Sequence, residues 1–114
     1  MTIRDLIKDR QNEIAKSAEL HPARAAELLV ELTSLIGNVN EEIRRRMGIY
    51  NQAALIMLDS EKTTARAKMK MEASQTYLDL KEAKDNRELV IEMVRGLKFF
   101  LRAKEDEWKE TKNL

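Results

Sequence analysis

The sequence predicts an all-α fold, with long amphipathic helices forming a helical hairpin or coiled-coil bundle, and three observations predict it. One apolar repeat threads Ala25, Leu29, Leu32, Ile36, Val39, Ile43, Arg46, Tyr50, Ala53 and Met57. A second threads Met69, Ala73, Thr76, Leu80, Ala83, Arg87, Val90, Val94, Leu97, Leu101, Lys104 and Trp108. Steps alternating between four and three hold a seam on one helix face. The third observation is compositional: one Pro, three Gly, 36% charged and 4% aromatic residues in a chain of 114. That mixture favours solvated helices over a sheet-rich core. The two repeats are two residues out of phase, so a change of register is expected between Met57 and Met69.

The elements follow in order within one helical domain, 1–114. Thr2 caps a first helix, 2–19, with Asp5 as capping-box partner, and Ile3, Leu6, Ile7, Ile14 and Ala18 recur at helical spacing. The pattern fades at His21-Pro22, and Pro suits the first position of a helix because its missing N–H would have been unpaired there. A long second helix, 22–58, is therefore expected. Gly37-Asn38 resembles a stop and a new cap, yet Leu32, Ile36, Val39 and Ile43 keep one phase across it, which favours continuity. Gly48, also interior, costs roughly 1 kcal/mol relative to Ala, and a close backbone approach by a neighbouring helix is one way to offset it. Glu41 with Arg45, and Glu42 with Arg46, stand four apart in the favourable order.

The polar stretch 59–64 carries capping residues and predicts a tight turn in preference to one bent helix. A C-terminal helix, 62–110, follows, with Asp85-Asn86 as the one candidate interruption and 110–114 as a fraying tail. Ala67, Met69, Met71 and Ala73 alternate with charged residues, but Ala, Met, Lys and Glu are strong helix formers and helix is expected. The seam residues Leu29, Leu32, Ile36, Val39, Ile43, Tyr50, Met57, Leu80, Val90, Val94, Leu97, Leu101 and Trp108 are expected in a core or an oligomer interface. Helices this long expose more seam than one hairpin covers, and Leu28, Leu35, Ile49 and Ile56 widen the first face further. A homo-oligomer is the expected remedy.

The absence of Cys excludes disulfides and thiolate metal sites. No apolar run approaches the roughly 18 residues of a membrane span, and Met1-Thr2-Ile3-Arg4-Asp5 has no signal-peptide character. A soluble cytoplasmic protein is expected. The lone His21 has no second His or Cys beside it and reads as a helix-start residue. No phosphate loop, zinc spacing or nucleophile elbow is present, and no carboxylate pair stands out for acid–base work. The expectation is no enzyme, with no catalytic residue, metal or cofactor.

Charge is the remaining signal. The net charge is +1, but residues 44–70 hold seven basic and two acidic side chains. Arg44, Arg45 and Arg46 fan over about 200° of a helix. Arg46 falls on the seam and must reach solvent or an acidic neighbour. Lys62, Arg66 and Lys70 form one stripe, with Lys68 beside it. A turn near Ser60 is expected to bring this stripe toward Arg44 and Arg45. The result is either a solvated face or a phosphate-binding patch, with Arg44, Arg45, Lys62, Arg66, Lys68 and Lys70 as candidates. Tyr50, Phe99, Phe100 and Trp108 lie on or beside the seams, so any nucleic-acid contact is expected at the backbone and not at the bases.

The stretches 65–73 with Tyr77-Leu78, and 94–101 with Trp108, resemble small all-helical recombination-accessory proteins of tailed phages, over about residues 40–110. The phage recombination mediators are the best-understood of that kind. The resemblance implies a ring or bundle oligomer that holds single-stranded DNA on a basic surface, meets a recombinase or other protein, and works in the host cytoplasm. It assigns no individual residue. The alternatives are a protein-binding module, such as a phage-encoded inhibitor or adaptor of a host enzyme, and a structural subunit of a nucleoprotein assembly.

Overall fold

The computed structural model describes residues 2–16 and 20–112. Among them the chain forms helices α1 (Ile3–Lys16), α2 (Pro22–Ser60), α3 (Thr64–Glu72) and α4 (Gln75–Lys112), and no strand. The fold is all-helical, as expected. The predicted end of the first helix at residue 19, and the tail residues 113–114, lie outside the described residues.

Local chemistry sets each helix start. The Asp5 N–H donates to Thr2 Oγ1 at 3.1 Å and the Thr2 N–H to Asp5 Oδ2 at 3.2 Å, the reciprocal pair of a capping box. At α2 the Ala23 N–H donates to His21 Nδ1 at 3.2 Å, so the single histidine serves as a cap ahead of Pro22. Thr63 caps α3 by accepting from the Arg66 N–H at 3.1 Å. Ser74 acts on both sides of the next break: its hydroxyl donates to the Met71 carbonyl at 2.5 Å and accepts from the Tyr77 N–H at 3.3 Å.

Ser74 also relocates the register change. The turn expected at 59–64 is present at Glu61–Thr63, but the helix predicted over 62–110 is broken at Ala73-Ser74. On α3 the buried residues are Ala67 and Met71, which continue the first repeat. Met69, assigned to the second repeat, is 73% exposed, and Ala73 is exposed too. The phase therefore changes after Met71 and not between Met57 and Met69. At Asp85-Asn86 α4 continues unbroken, and Asn86 is buried where the repeat placed Arg87. Burying the short amide in place of a guanidinium avoids desolvating a charge.

Contacts group into two compact units. The first comprises Met1–Gly37 and Glu88–Leu114. Its core is Ile7 from α1, Ala25, Leu28 and Leu32 from α2, and Val90, Val94 and Leu97 from α4. Arg24 fastens α2 to α1 through both oxygens of Glu13, at 2.7 and 2.9 Å, and Arg10 reaches Glu31 at 3.0 Å. Trp108, expected in a seam, is 62% exposed. The second unit, Asn38–Arg87, buries Val39, Ala67, Met71, Leu80 and Ala83 with Asn86.

Hydrogen bonding by Arg24 holds the Glu13 carboxyl below the ordinary glutamate range. A carboxylate with a lowered folded-state pKa contributes stability above its unfolded value, near about 4.3, and loses it as pH falls through the folded value. Glu13→Gln is thus expected to melt below the wild type at pH 7 and to converge with it near pH 3, as circular dichroism melts at the two pH values will show.

α2 passes through Gly37 and Gly48 unbroken. A Cβ built on either glycine meets nothing within 4 Å among the described residues, so the close approach that would offset Gly48 is not found on its Cβ side. Gly37→Ala is expected to stabilise the protein by about 0.5–1 kcal/mol, through helix propensity alone. A thermal melt that does not move upward would mean that Gly37 has a role outside the helix.

Candidate nucleic-acid interface

The candidate cations all fall in the second unit, and the structure sorts them into two kinds. Arg45, Arg66 and Lys70 are engaged. Arg45 Nη2 donates to Glu42 Oε1 at 2.7 Å and its Nε to Glu42 Oε2 at 3.2 Å, a forked pair. The expected partner of Arg45 was Glu41, so the pairing has moved by one residue. Glu42 also accepts from Arg46 Nε at 2.9 Å, while Arg46 Nη1 reaches Asp79 of α4 at 3.5 Å. The seam arginine has thus found two acidic neighbours. Hydrogen bonds from Arg45 and then Arg46 hold the Glu42 carboxyl low, and the same contact raises Arg45.

Glu61 engages the other two. Its side chain is only 12% exposed, and it is ion-paired to Lys70 Nζ and to Arg66 Nε, the latter at 3.8 Å. Glu61 opens the α2–α3 turn and the cations lie on α3, so the pairing ties the turn to the helix that follows it. This partly buried carboxylate was not singled out from sequence, although its spacing of five and nine residues to Arg66 and Lys70 is visible there.

Arg44, Lys62 and Lys68 are exposed and have no ion-pair or hydrogen-bond partner among the described residues. They do not converge. Arg44 shares a shallow polar recess on α2 with Asn38, Glu41, Glu42 and Arg45. Ser60, next to the turn that holds Lys62, lies roughly 24 Å farther along the helix axis at 1.5 Å per residue. Lys68 lies about half a helical turn around α3 from Arg66 and Lys70, not beside their stripe. It borders an apolar groove of about 270 Å³ with Tyr50, Ala54 and Leu58 of α2 and Ala67 and Met71 of α3. The turn does fold α3 back along α2, as that groove shows, but it does not bring the stripe to Arg44 and Arg45.

A second feature of this unit was only partly read from sequence. Ala53–Leu58 is six consecutive apolar residues, so the end of α2 is apolar on every side. Its seam side packs: Tyr50 meets Tyr77 with ring centroids 6.1 Å apart, and Met57 is half-buried. Leu55 and Ile56 remain 64% and 70% exposed, with Ile49, Leu58 and Met47 also on the surface. An all-round apolar helix end marks a segment that requires burial.

Among the described residues no group of three or more His, Cys, Asp or Glu is placed to hold a metal ion, and no helix is long and apolar enough to cross a membrane. Compared with protein-family models, with curated proteins and with solved structures, the chain finds no match.

Proposed function

We propose that the chain is a non-enzymatic, oligomeric helical protein that binds single-stranded DNA through the basic surface of its second unit and assists phage-type recombination or replication. The observation that carries this reading is the coexistence, on Asn38–Arg87, of an exposed apolar helix end with Arg44, Lys62 and Lys68, cations left without carboxylate partners. The apolar end supplies a reason to assemble. Assembly in turn repeats a small number of cations along a strand, which separates this reading from that of a merely solvated face.

The protein-binding alternative is favoured by one observation: Glu42 and Glu61 already hold Arg45, Arg66 and Lys70 in ion pairs. Fluorescence anisotropy with labelled single-stranded DNA across a salt series decides between the two. Binding at 50 mM salt that weakens steeply by 200 mM supports the DNA reading, and absence of binding at 50 mM removes it in favour of a protein partner.

A further inference from the structure

Along α2, Arg45, Ile49, Gln52, Ile56 and Asp59 step by four and three, a second heptad seam separate from the one that packs within the unit. It lies roughly 100° around the helix from Arg46, Tyr50, Ala53 and Met57. All five residues are exposed, Ile56 at 70% and Ile49 at 41%.

The order of residues on this seam selects its occupant. Arg45, forked to Glu42 on its own helix, stands at one end and Asp59 at the other, with Gln52 midway and two isoleucines three residues before and four residues after it. Such a pattern complements itself when reversed. Laid antiparallel on a second α2, Arg45 meets the partner's Asp59, Ile49 meets the partner's Ile56, and Gln52 meets the partner's Gln52. Laid parallel, it sets Arg45 against Arg45 and Asp59 against Asp59. A surface that complements itself by reversal is what a two-fold dimer requires.

We propose that this seam docks a second copy of the chain, antiparallel along α2 and centred on Gln52. The proposal rests on the oligomer reading above and names its surface. It also gives Gly48 a purpose: the glycine lies at the edge of this seam with open space where a Cβ would stand, at the level of the partner's Ile56. Furthermore, antiparallel pairing puts Arg44 of one copy at the axial level of the partner's α2–α3 turn, which carries Lys62. Cations about 24 Å apart along one helix thus become neighbours in level across two. The paired stretch is about 21 Å long, so the interface is at the small end of specific ones and is to be measured at high protein concentration.

The chain has no Cys, so single cysteines report the pairing directly. Under mild oxidation at about 100 µM, Gln52→Cys alone is expected to form a covalent dimer, because antiparallel pairing sets it beside itself. Arg45→Cys and Asp59→Cys are each expected to form no covalent dimer alone and to cross-link when mixed. Self-cross-linking of Arg45→Cys would establish parallel pairing and overturn the proposal. As a second arm, Arg45→Glu and Asp59→Arg are each expected to weaken self-association at least 10-fold by sedimentation equilibrium, and the double variant to restore it to within about 3-fold. Should the wild type sediment as an oligomer that these substitutions leave unchanged, this surface is wrong while the oligomer reading stands. A wild type that is monomeric throughout removes both.

Discussion

Leu32→Ala is expected to lower stability by about 3 kcal/mol, the centre of the range for removing a large aliphatic side chain from a closed core. Leu32 is 0% exposed, and so are Ile7, Ala25, Leu28 and Val90 of the same unit. The deleted atoms lose their transfer free energy, and the cavity they leave falls in a core whose buried residues come from three helices, which limits collapse. Against a total of about 5–15 kcal/mol, that is a large fraction. In a domain of this size the loss corresponds to a fall of roughly 10–15 °C in melting temperature. Val30→Ala provides the control on the same helix: Val30 is 67% exposed, and its change is expected within about 0.5 kcal/mol. Equal effects at the two positions would mean that α2 does not present this face to the core.

The contrast between Leu32 and Val30 was legible in the sequence, because a single period running from Ala25 to Met57 separates them. The helix starts at Thr2 and Pro22 were legible for the same kind of reason: capping chemistry is local and uses a small set of residues. The break at Ala73-Ser74 was not. It lacks Gly and Pro, its flanks are strong helix formers, and its only mark is a serine whose hydroxyl bonds both ways. The alternation of Ala67, Met69, Met71 and Ala73 made matters worse, since it offers apolar residues to either phase. Only tertiary structure selects Ala67 and Met71, which are buried and line one groove with Tyr50, Ala54 and Leu58. Asn86 illustrates a similar limit. The seam runs between positions 86 and 87, and the cost of desolvating a guanidinium, which no periodicity registers, decides which residue turns inward.

For the candidate site, composition located the cations but not their partners. The Glu42–Arg46 pair is a short-range relation within one helix and was foreseen, whereas the Arg46–Asp79 contact joins two helices 33 residues apart in sequence. Glu61 depends on the turn geometry that folds α3 back, so its hold on Arg66 and Lys70 had no sequence rule behind it. The exposed seam of Ile49 and Ile56 was visible as a widening of the apolar face. Its separateness became plain only when the first seam was seen to be filled by the chain itself.

The division of cations into engaged and unengaged yields a quantitative expectation for DNA binding. Releasing counterions from single-stranded DNA gives a slope of about −0.7 in log affinity against log salt for each phosphate neutralised. If Arg44, Lys62 and Lys68 alone contact phosphates, the slope per chain is about −2, and affinity falls roughly 20-fold between 50 and 200 mM salt. Full participation of Arg45, Arg66 and Lys70 doubles the slope to about −4 and makes the fall several hundred-fold. The smaller value is expected, because a phosphate must displace Glu42 or Glu61 to reach the engaged side chains, and Glu61 is nearly closed to solvent. Arg44→Glu, Lys62→Glu and Lys68→Glu together are therefore expected to reduce affinity at 50 mM salt by at least about 100-fold, since each change removes an attraction and adds a repulsion. None of these residues holds a described partner, so the melting temperature is expected to stay within a few degrees of the wild type. Arg66→Glu or Lys70→Glu would be a poorer test, because either sets a second carboxylate against Glu61 and loosens the turn. An unchanged affinity in the triple variant would place DNA contact elsewhere. A wild-type slope near −4 would show instead that binding opens the Glu42 and Glu61 pairs, in which case Glu61→Gln should tighten binding.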